Sequence, residues 1–181
     1  EREEGISEAE KEVGRGWRHY LRGEMEMALI SFERAVSSDP SSSDAYNGLG
    51  WVYLSLSKGF SVDGELVGEA VRMFGEAVRL DPESSDAWAG MALALFLRRF
   101  GEEDIEEAIK AADRAIGGRE RLYEHDFDSE GDLWAFKALC YYYLGDLGHA
   151  EDALRKASSI EPESRAVQEI ERLIETEGGG R

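Results

Sequence analysis

The chain has 181 residues, a length that suits one domain or two small ones, and its 42% of apolar residues can bury a core, so wholesale disorder is excluded. A net charge of −18 repels phosphate backbones and anionic lipid, which argues against nucleic-acid and membrane-surface partners. No apolar run approaches the roughly 20 residues of a membrane-spanning helix, and the single cysteine excludes an internal disulfide and Cys-rich zinc sites.

Signals for helix starts occur at intervals from the beginning of the chain. Ser7 followed by Glu10 has the pattern of a capping box, which predicts a helix that begins directly after Ser7. Serine- and aspartate-rich runs at 41–44 and 84–86 follow prolines and supply further N-cap residues. These signals predict a series of helices separated by short turns.

One residue spacing recurs along the chain. Alanine is followed four residues later by a large apolar residue, then by alanine three residues on and by proline five residues beyond that. The copies are Ala28, Phe32, Ala35 and Pro40; Ala70, Phe74, Ala77 and Pro82; Ala150, Leu154, Ala157 and Pro162; and a weaker copy without proline at Ala108, Ala112 and Ala115. These spacings place the residues on one helical stripe, where the small alanines let a neighbouring helix approach closely.

A second apolar segment precedes three of these stripes. Tyr46–Tyr53, Trp88–Leu95 and Trp134–Tyr141 match one another, and we expect inner helices at 43–57, 84–99 and 130–144, each antiparallel to the helix that follows it. The paired segments resemble the tetratricopeptide repeat, a helix–turn–helix unit of about 34 residues.

The resemblance implies an all-α fold, a right-handed α-solenoid of four tetratricopeptide repeats in a single domain spanning 1–181. The repeats are expected at about 7–40, 43–82, 85–122 and 131–162, with a C-terminal capping helix at 163–177 and a flexible tail at 178–181. The first repeat departs from the pattern because Glu12 takes the place of its first aromatic residue. Extra residues fall at Phe60–Gly68, Gly101–Asp104 and Tyr123–Glu130.

In this family the first helix of each repeat lines a concave groove. Of the twelve expected lining positions, only Ser55 is polar, and the other eleven are Trp17, Tyr20, Leu21, Trp51, Leu54, Leu93, Phe96, Leu97, Leu139, Tyr142 and Tyr143. We expect these eleven side chains to form an exposed apolar strip that binds a partner. The alternative is that some of them pack between the helices of the repeats.

The sequence shows no catalytic constellation, and it predicts neither an enzyme nor a cofactor. The three histidines lie far apart, and Cys140 stands among apolar residues of a predicted helix, as a small buried hydrophobic residue would. Asp126, Asp128 and Glu130 resemble the start of a calcium loop, but Lys137 occupies the place of its closing glutamate. We therefore favour an acidic helix N-cap over a metal site there.

The residue types at five positions decide whether one known peptide-binding mode of the family is possible here. Co-chaperones of this family hold a peptide carboxylate with cationic and amide side chains, but the corresponding residues here are Val13, Trp17, Gly48, Asp86 and Gly90. No such clamp is possible with these residues.

The sequence therefore predicts a non-catalytic interaction scaffold or adaptor. It would bind an apolar helix or peptide in the aromatic-lined groove, with acidic rim charges that select basic partners. The alternative is a structural subunit that assembles with itself into a homo-oligomer or filament. The chain starts at Glu1 without an initiating methionine, so we expect an extracytoplasmic location, with a cytoplasmic one as the alternative.

Overall fold

The computed structural model describes residues 6–58, 62–118, 127 and 129–178, and the regular structure in these ranges is helical apart from one isolated bridge between Lys58 and Val62. The helices are α1 (Glu8–Leu21), α2 (Met25–Ser38), α3 (Ser43–Ser57), α4 (Gly64–Leu80), α5 (Ser85–Arg98), α6 (Glu102–Gly117), α7 (Glu130–Tyr143), α8 (Leu147–Ile160) and α9 (Arg165–Gly178). The all-α prediction is confirmed, and the predicted inner helices agree with α3, α5 and α7 to within one residue.

The predicted helix starts are made by side-chain caps. The Ser7 hydroxyl accepts a hydrogen bond from the Glu10 backbone N–H (3.1 Å), and the Ser7 N–H donates to Glu10 Oε2 (2.7 Å), so the capping box is present. Ser42 caps α3 and Ser84 caps α5, where each serine hydroxyl accepts a hydrogen bond of 3.3 Å from the backbone N–H three residues later. These bonds satisfy backbone N–H groups that have no partner within the helix.

Three helices, α2, α4 and α8, have as their C-cap the residue before a proline. Proline disfavours the helical conformation of the residue that precedes it, and the helix stops there. The backbone N–H of that cap residue still donates to a carbonyl four residues earlier, from Asp39 to Ala35, from Asp81 to Ala77 and from Glu161 to Ala157. In the weaker copy of the repeat, α6 ends at Gly117 without a proline.

The helices form a linear stack of hairpins. Helix α1 packs on α2, α3 on α4, α5 on α6 and α7 on α8, and each hairpin packs on the next through α2–α3, α4–α5 and α6–α7 contacts. Helix α1 also contacts α3, α3 contacts α5, and α5 meets α7 through Phe96 and Phe136, so these four first helices lie side by side. The fold is an α-solenoid, and we propose that the four hairpins are the four predicted repeats.

Helix α9 covers the last hairpin. Val167, Ile170 and Ile174 are buried against α7 and α8, in one cluster with Ala138 and Leu154. An array of stacked hairpins otherwise ends in an exposed apolar face, and α9 removes that face. The predicted extension at Phe60–Gly68 lies partly outside the described residues, with α4 beginning inside it, and residues 179–181 of the predicted tail also lie outside them.

The alanine and aromatic stripes form the core between hairpins. Phe32 on α2 and Phe74 on α4 are both fully buried. A Cβ atom added at Gly16 or Gly48 would lie less than 3.0 Å from the Phe32 ring. The two rings therefore fill the space that glycines leave open on the helices beside them.

A matched pair of glycine substitutions tests this packing. A Cβ at Gly90 would lie less than 3.0 Å from the Phe74 ring, whereas a Cβ at Gly68 would meet nothing within 4 Å. We expect Gly90→Ala to lower the free energy of unfolding by about 1–3 kcal/mol, because the buried ring has no room to move. Gly68→Ala should raise it by about 0.5–1 kcal/mol through helix propensity. Urea unfolding of both variants measures the difference, and equal effects would contradict the packing.

Candidate functional site

The predicted groove residues lie on the odd-numbered helices, but the structure separates them into two tiers. Trp51, Leu54 and Phe96 are buried, with exposed fractions of 1%, 0% and 8%. The expectation that all eleven side chains are exposed is therefore wrong at these three positions. They belong to the core beneath the groove, as the alternative interpretation of the sequence required for part of the set.

Trp51 is held inside the solenoid by polar contacts between α3 and α5. Its indole Nε1 donates to Asp86 Oδ2 (3.1 Å), and the Asn47 side chain donates to the same oxygen (2.6 Å). The indole ring also meets Phe74 edge to face, with ring centres 5.4 Å apart. Asn47 and Asp86 are themselves 5% exposed, so this network links two neighbouring inner helices and fixes the Trp51 ring.

Phe96 and Leu54 are buried by apolar packing. The Phe96 ring meets Phe136 on α7 edge to face at 5.4 Å, and the Arg99 guanidinium covers it at 4.9 Å from the ring centre. Leu54 packs in one buried cluster with Trp51 and Phe74. Phe96 therefore joins two neighbouring hairpins, whereas Leu54 lies in the core with residues of its own hairpin.

The other eight predicted residues reach the surface and form the upper tier, which we call the groove surface. Leu21 and Tyr143 are 61% and 52% exposed. The remaining six are half-buried: Trp17, Tyr20, Leu93, Leu97, Leu139 and Tyr142. They extend over α1, α5 and α7, and Ser55 represents α3 between them, with its hydroxyl 3.0 Å from that of Tyr20.

The six half-buried members of the groove surface pack on buried clusters that are linked to one another. Trp17, Tyr20 and Leu97 pack on the cluster that contains Trp51. Leu93 joins that cluster to the next one, which contains Phe96, and Leu139 joins the latter to the C-terminal cluster beneath Tyr142. The arrangement offers a row of apolar and aromatic side chains with a rigid base, which suits contact with another apolar surface.

The groove prediction missed a recurring acidic residue near the start of the inner helices. Asp44, Asp86 and Asp132 occupy the same position near the start of α3, α5 and α7, and this recurrence was the available signal for the Asn47–Asp86 network. Asp86 and Asp132 are both buried, and Asp132 accepts a hydrogen bond from the Ser164 hydroxyl (2.5 Å). An acidic residue thus recurs near the start of three inner helices, and two of the three carboxylates are buried in polar contacts.

The histidines and the cysteine among the described residues lie at separate places in the fold. His19 contacts Glu24 (2.5 Å) and His149 contacts Asp146 (2.7 Å), each at a separate turn, and His125 lies outside the described residues. Burial raises the pKa of the Cys140 thiol to about 12, so the thiol is neutral near pH 7.

The calcium candidate falls largely outside the described part of the chain. Asp126 and Asp128 are not described, and Glu130 is the first residue of α7. Ser129 caps that helix, as its hydroxyl accepts from the Asp132 N–H (3.2 Å). Within the described ranges, three or more potential metal-ligating side chains do not come together at any point.

Paired helices, proline-terminated outer helices and a capping helix define a solenoid of short helical repeats. Two family profiles, both for the tetratricopeptide repeat, match residues 62–121 and 131–164, together just over half of the chain. The chain belongs to the tetratricopeptide repeat family, whose members are generally non-catalytic interaction modules. Among the described residues, no helix combines the length and apolar character that crossing a bilayer demands.

Solved structures share the fold. A crystal structure of MamA superimposes with a TM-score of 0.69 at 23% identity, covering 94% of this chain and 82% of that one. The thermophilic repeat protein TTC0263 from Thermus thermophilus gives a TM-score of 0.65 at 17% identity over 91% and 80% of the two chains. The first repeat domain of Spaghetti (RPAP3), bound to the HSP90 peptide SRMEEVD, gives 0.60 at 16% over 77% and 95%. A comparison with curated protein sequences found no match.

The division into two tiers predicts that substitutions in the buried tier lower the free energy of unfolding more than substitutions in the groove surface. Trp51→Ala should lower the free energy of unfolding by about 3–5 kcal/mol, because it leaves a large cavity and removes a partner of Asp86. Tyr143→Ser, at an exposed groove position, should change it by less than about 1 kcal/mol. Chemical unfolding followed by circular dichroism measures both, and a neutral Trp51→Ala would contradict the buried tier.

Cys140 provides a second test of the core. At neutral pH, a thiol reagent such as Ellman's reagent should fail to label Cys140 in the native protein and should label it fully after denaturation. Labelling of the native chain at the rate of a free thiol would show that α7 is more open than the structure indicates.

Proposed function

We propose that this chain is a non-catalytic scaffold that binds an apolar helix or peptide on its groove surface. The observation that supports this proposal is a set of eight apolar or aromatic side chains, two exposed and six half-buried, of which the six pack on linked buried clusters. A monomeric chain gains nothing from such a row in water, whereas a partner that covers the row removes it from solvent.

The rigidity of the groove favours binding. Trp17 is fixed by edge-to-face contacts with Phe32 (5.1 Å) and Tyr20 (5.5 Å). Tyr143 is fixed by Phe96 (5.4 Å) and by the Arg99 guanidinium, 5.3 Å from the ring centre. Side chains that are already ordered lose little conformational entropy when a partner docks on them.

The chemistry of the groove favours an apolar partner over an acidic peptide tail. RPAP3 is bound to the peptide SRMEEVD, which carries three acidic side chains. In this chain, the positions tested for a cationic clamp include Gly48 and Gly90, whose place is filled by the Phe32 and Phe74 rings, and Asp86, whose carboxylate is buried. A cation is missing at every one of the five positions.

The negative charge of the chain indicates which residues flank the apolar stripe of the partner. Asp86 and Asp132 are buried at the start of inner helices, Asp44 is exposed at the equivalent place, and the whole chain carries a net charge of −18. This field favours basic residues beside the apolar stripe and raises the rate of encounter with a basic partner.

The extracytoplasmic location of the chain stays a prediction.

A photo-crosslinking residue at position 143 can capture the partner from native cells, and its affinity for the purified chain is then measured by calorimetry. The double variant Leu97→Gln plus Tyr142→Ser should weaken binding at least tenfold, because two anchor side chains lose their apolar contacts. The matched control is Met27→Gln plus Ile160→Gln, which changes two exposed apolar residues on the outer helices α2 and α8.

The control variant should bind like the wild-type chain. Because Leu97 and Tyr142 are half-buried, circular dichroism must show that both variants keep their helicity, and Tyr143→Ser serves as a milder groove variant. Wild-type affinity of the folded groove variants would overturn the proposal.

A further inference from the structure

A second apolar surface lies on the outer side of the solenoid, where α4 and α6 stand apart above α5. A pocket of about 400 Å³ opens there, and its apolar lining is Val71, Trp88, Met91, Leu95 and Ala111. The volume falls within the range of about 300–1,000 Å³ that small-ligand pockets occupy.

The rim of this pocket has an excess of positive charge. Glu107, Lys110 and Arg114 of α6 line it, and Lys110 Nζ lies 2.7 Å from Glu107 Oε1. Arg114 is exposed and forms no ion pair with the residues that the structure describes. An apolar group that carries a carboxylate beside it therefore matches this pocket.

Such a group lies on the chain itself, in the turn between α5 and α6. Phe100 is 83% exposed, more than any other large apolar side chain among the described residues. Glu102 and Glu103 follow it closely, both exposed at the first turn of α6. Phe100 and the two glutamates form what we call the Phe100 knob.

The Phe100 knob is held rigid by its neighbours. Asp104 accepts hydrogen bonds from Arg98 Nε (3.0 Å) and Nη2 (2.5 Å) and from the Phe100 N–H (3.0 Å). The Arg98 guanidinium also lies 5.5 Å from the centre of the Phe100 ring. Arg99 has a φ of 35°, the left-handed conformation that non-glycine residues adopt rarely, and this strain is maintained by its contacts with Phe96 and Tyr143.

The Arg98 side chain, through its hydrogen bonds, holds the pKa of Asp104 below its usual range, so the carboxylate stays charged near neutral pH. A strained residue and three hydrogen bonds thus maintain a turn that presents a phenyl ring to solvent. A rigid exposed aromatic side chain is typical of an anchor that enters a pocket on a partner.

We propose that the Phe100 knob of one copy of this chain docks into the α4–α6 pocket of a second copy, with Glu102 or Glu103 beside Arg114. The knob and the pocket are different surfaces, so a pair of copies joined in this way leaves the pocket of one copy and the knob of the other unused. The contact is heterologous, and it extends into an open chain of copies unless the rotation closes a ring. It does not involve the groove surface, and its failure would leave the proposed function untouched.

Sedimentation equilibrium over micromolar to millimolar concentration tests the contact. The wild-type chain should rise above its monomer mass of 20.2 kDa, and Phe100→Ser should weaken association at least tenfold. Ile160→Ser, which changes an exposed apolar residue at the end of α8, is the matched control and should associate like the wild type. The groove variant Leu97→Gln plus Tyr142→Ser should also associate like the wild type.

Mixing two defective copies tests the head-to-tail geometry. Phe100→Ser lacks the knob and keeps the pocket, whereas Val71→Arg blocks the pocket and keeps the knob. Each should be monomeric alone, and an equimolar mixture should form dimers and nothing larger, because only one interface is complete. Circular dichroism verifies that Val71→Arg is folded, and Arg114→Glu serves as a second, surface-only pocket variant.

Charge exchange tests the orientation. Arg114→Glu should weaken association, and so should Glu102→Lys plus Glu103→Lys, because each variant brings like charges together in its contact with itself. Mixing the two variants should restore association between them, into chains like those of the wild type, because both contacts in the mixture pair opposite charges. A wild-type chain that stays monomeric throughout, Phe100→Ser association equal to that of the wild type, or a mixture without heterodimers would overturn the proposal. Association that is lost only in the groove variant would overturn it too, and would assign self-assembly to the groove instead.

Discussion

The spacing of the inner helices depends on two phenylalanine rings that occupy space left by glycines. Phe74 lies against Gly50 on the inner helix of its own hairpin and against Gly90 on the inner helix of the next one, and a Cβ at either glycine would approach the ring to less than 3.0 Å. Interiors pack at high density, so the ring fixes how closely two hairpins approach. That distance in turn sets how far apart the groove side chains lie.

In the third hairpin, the large side chain that fills the space between hairpins lies on a different helix. Ala112 of α6 takes the position of the two phenylalanines, and Phe136 of α7 fills the space instead, against Phe96 and Phe127. The exchange conserves the volume of the core, which packed interiors tolerate best. It also draws Phe96 into the core, which explains why this predicted groove residue is buried.

The sequence predicted the fold in detail because helix caps, prolines and the alanine–aromatic spacing are local signals that recur in each hairpin. The resemblance to the family implied that the groove residues lie on the first helix of each hairpin, and their role in a groove stays a prediction. The sequence did not predict which of these side chains are buried and which are exposed. Trp17 and Trp51 hold equivalent positions, yet only Trp51 is fully buried, because Asn47 and Asp86 bind around it while Val13 replaces Asn47 in the first hairpin. Burial of this kind depends on the residues of the neighbouring helix, and the apolar pattern of a single helix carries no information on them.

Hydroxyl-radical footprinting of the chain, alone and with its captured partner, tests the separation of a buried tier from a binding tier most directly. We expect Trp51 to stay unmodified in both states. Trp17, Tyr20, Tyr142 and Tyr143 should be oxidised in the free chain and protected in the complex. Oxidation of Trp51 in the free chain would show that the buried tier is open to solvent, and a complex in which the other four residues react as before would show that the partner binds elsewhere.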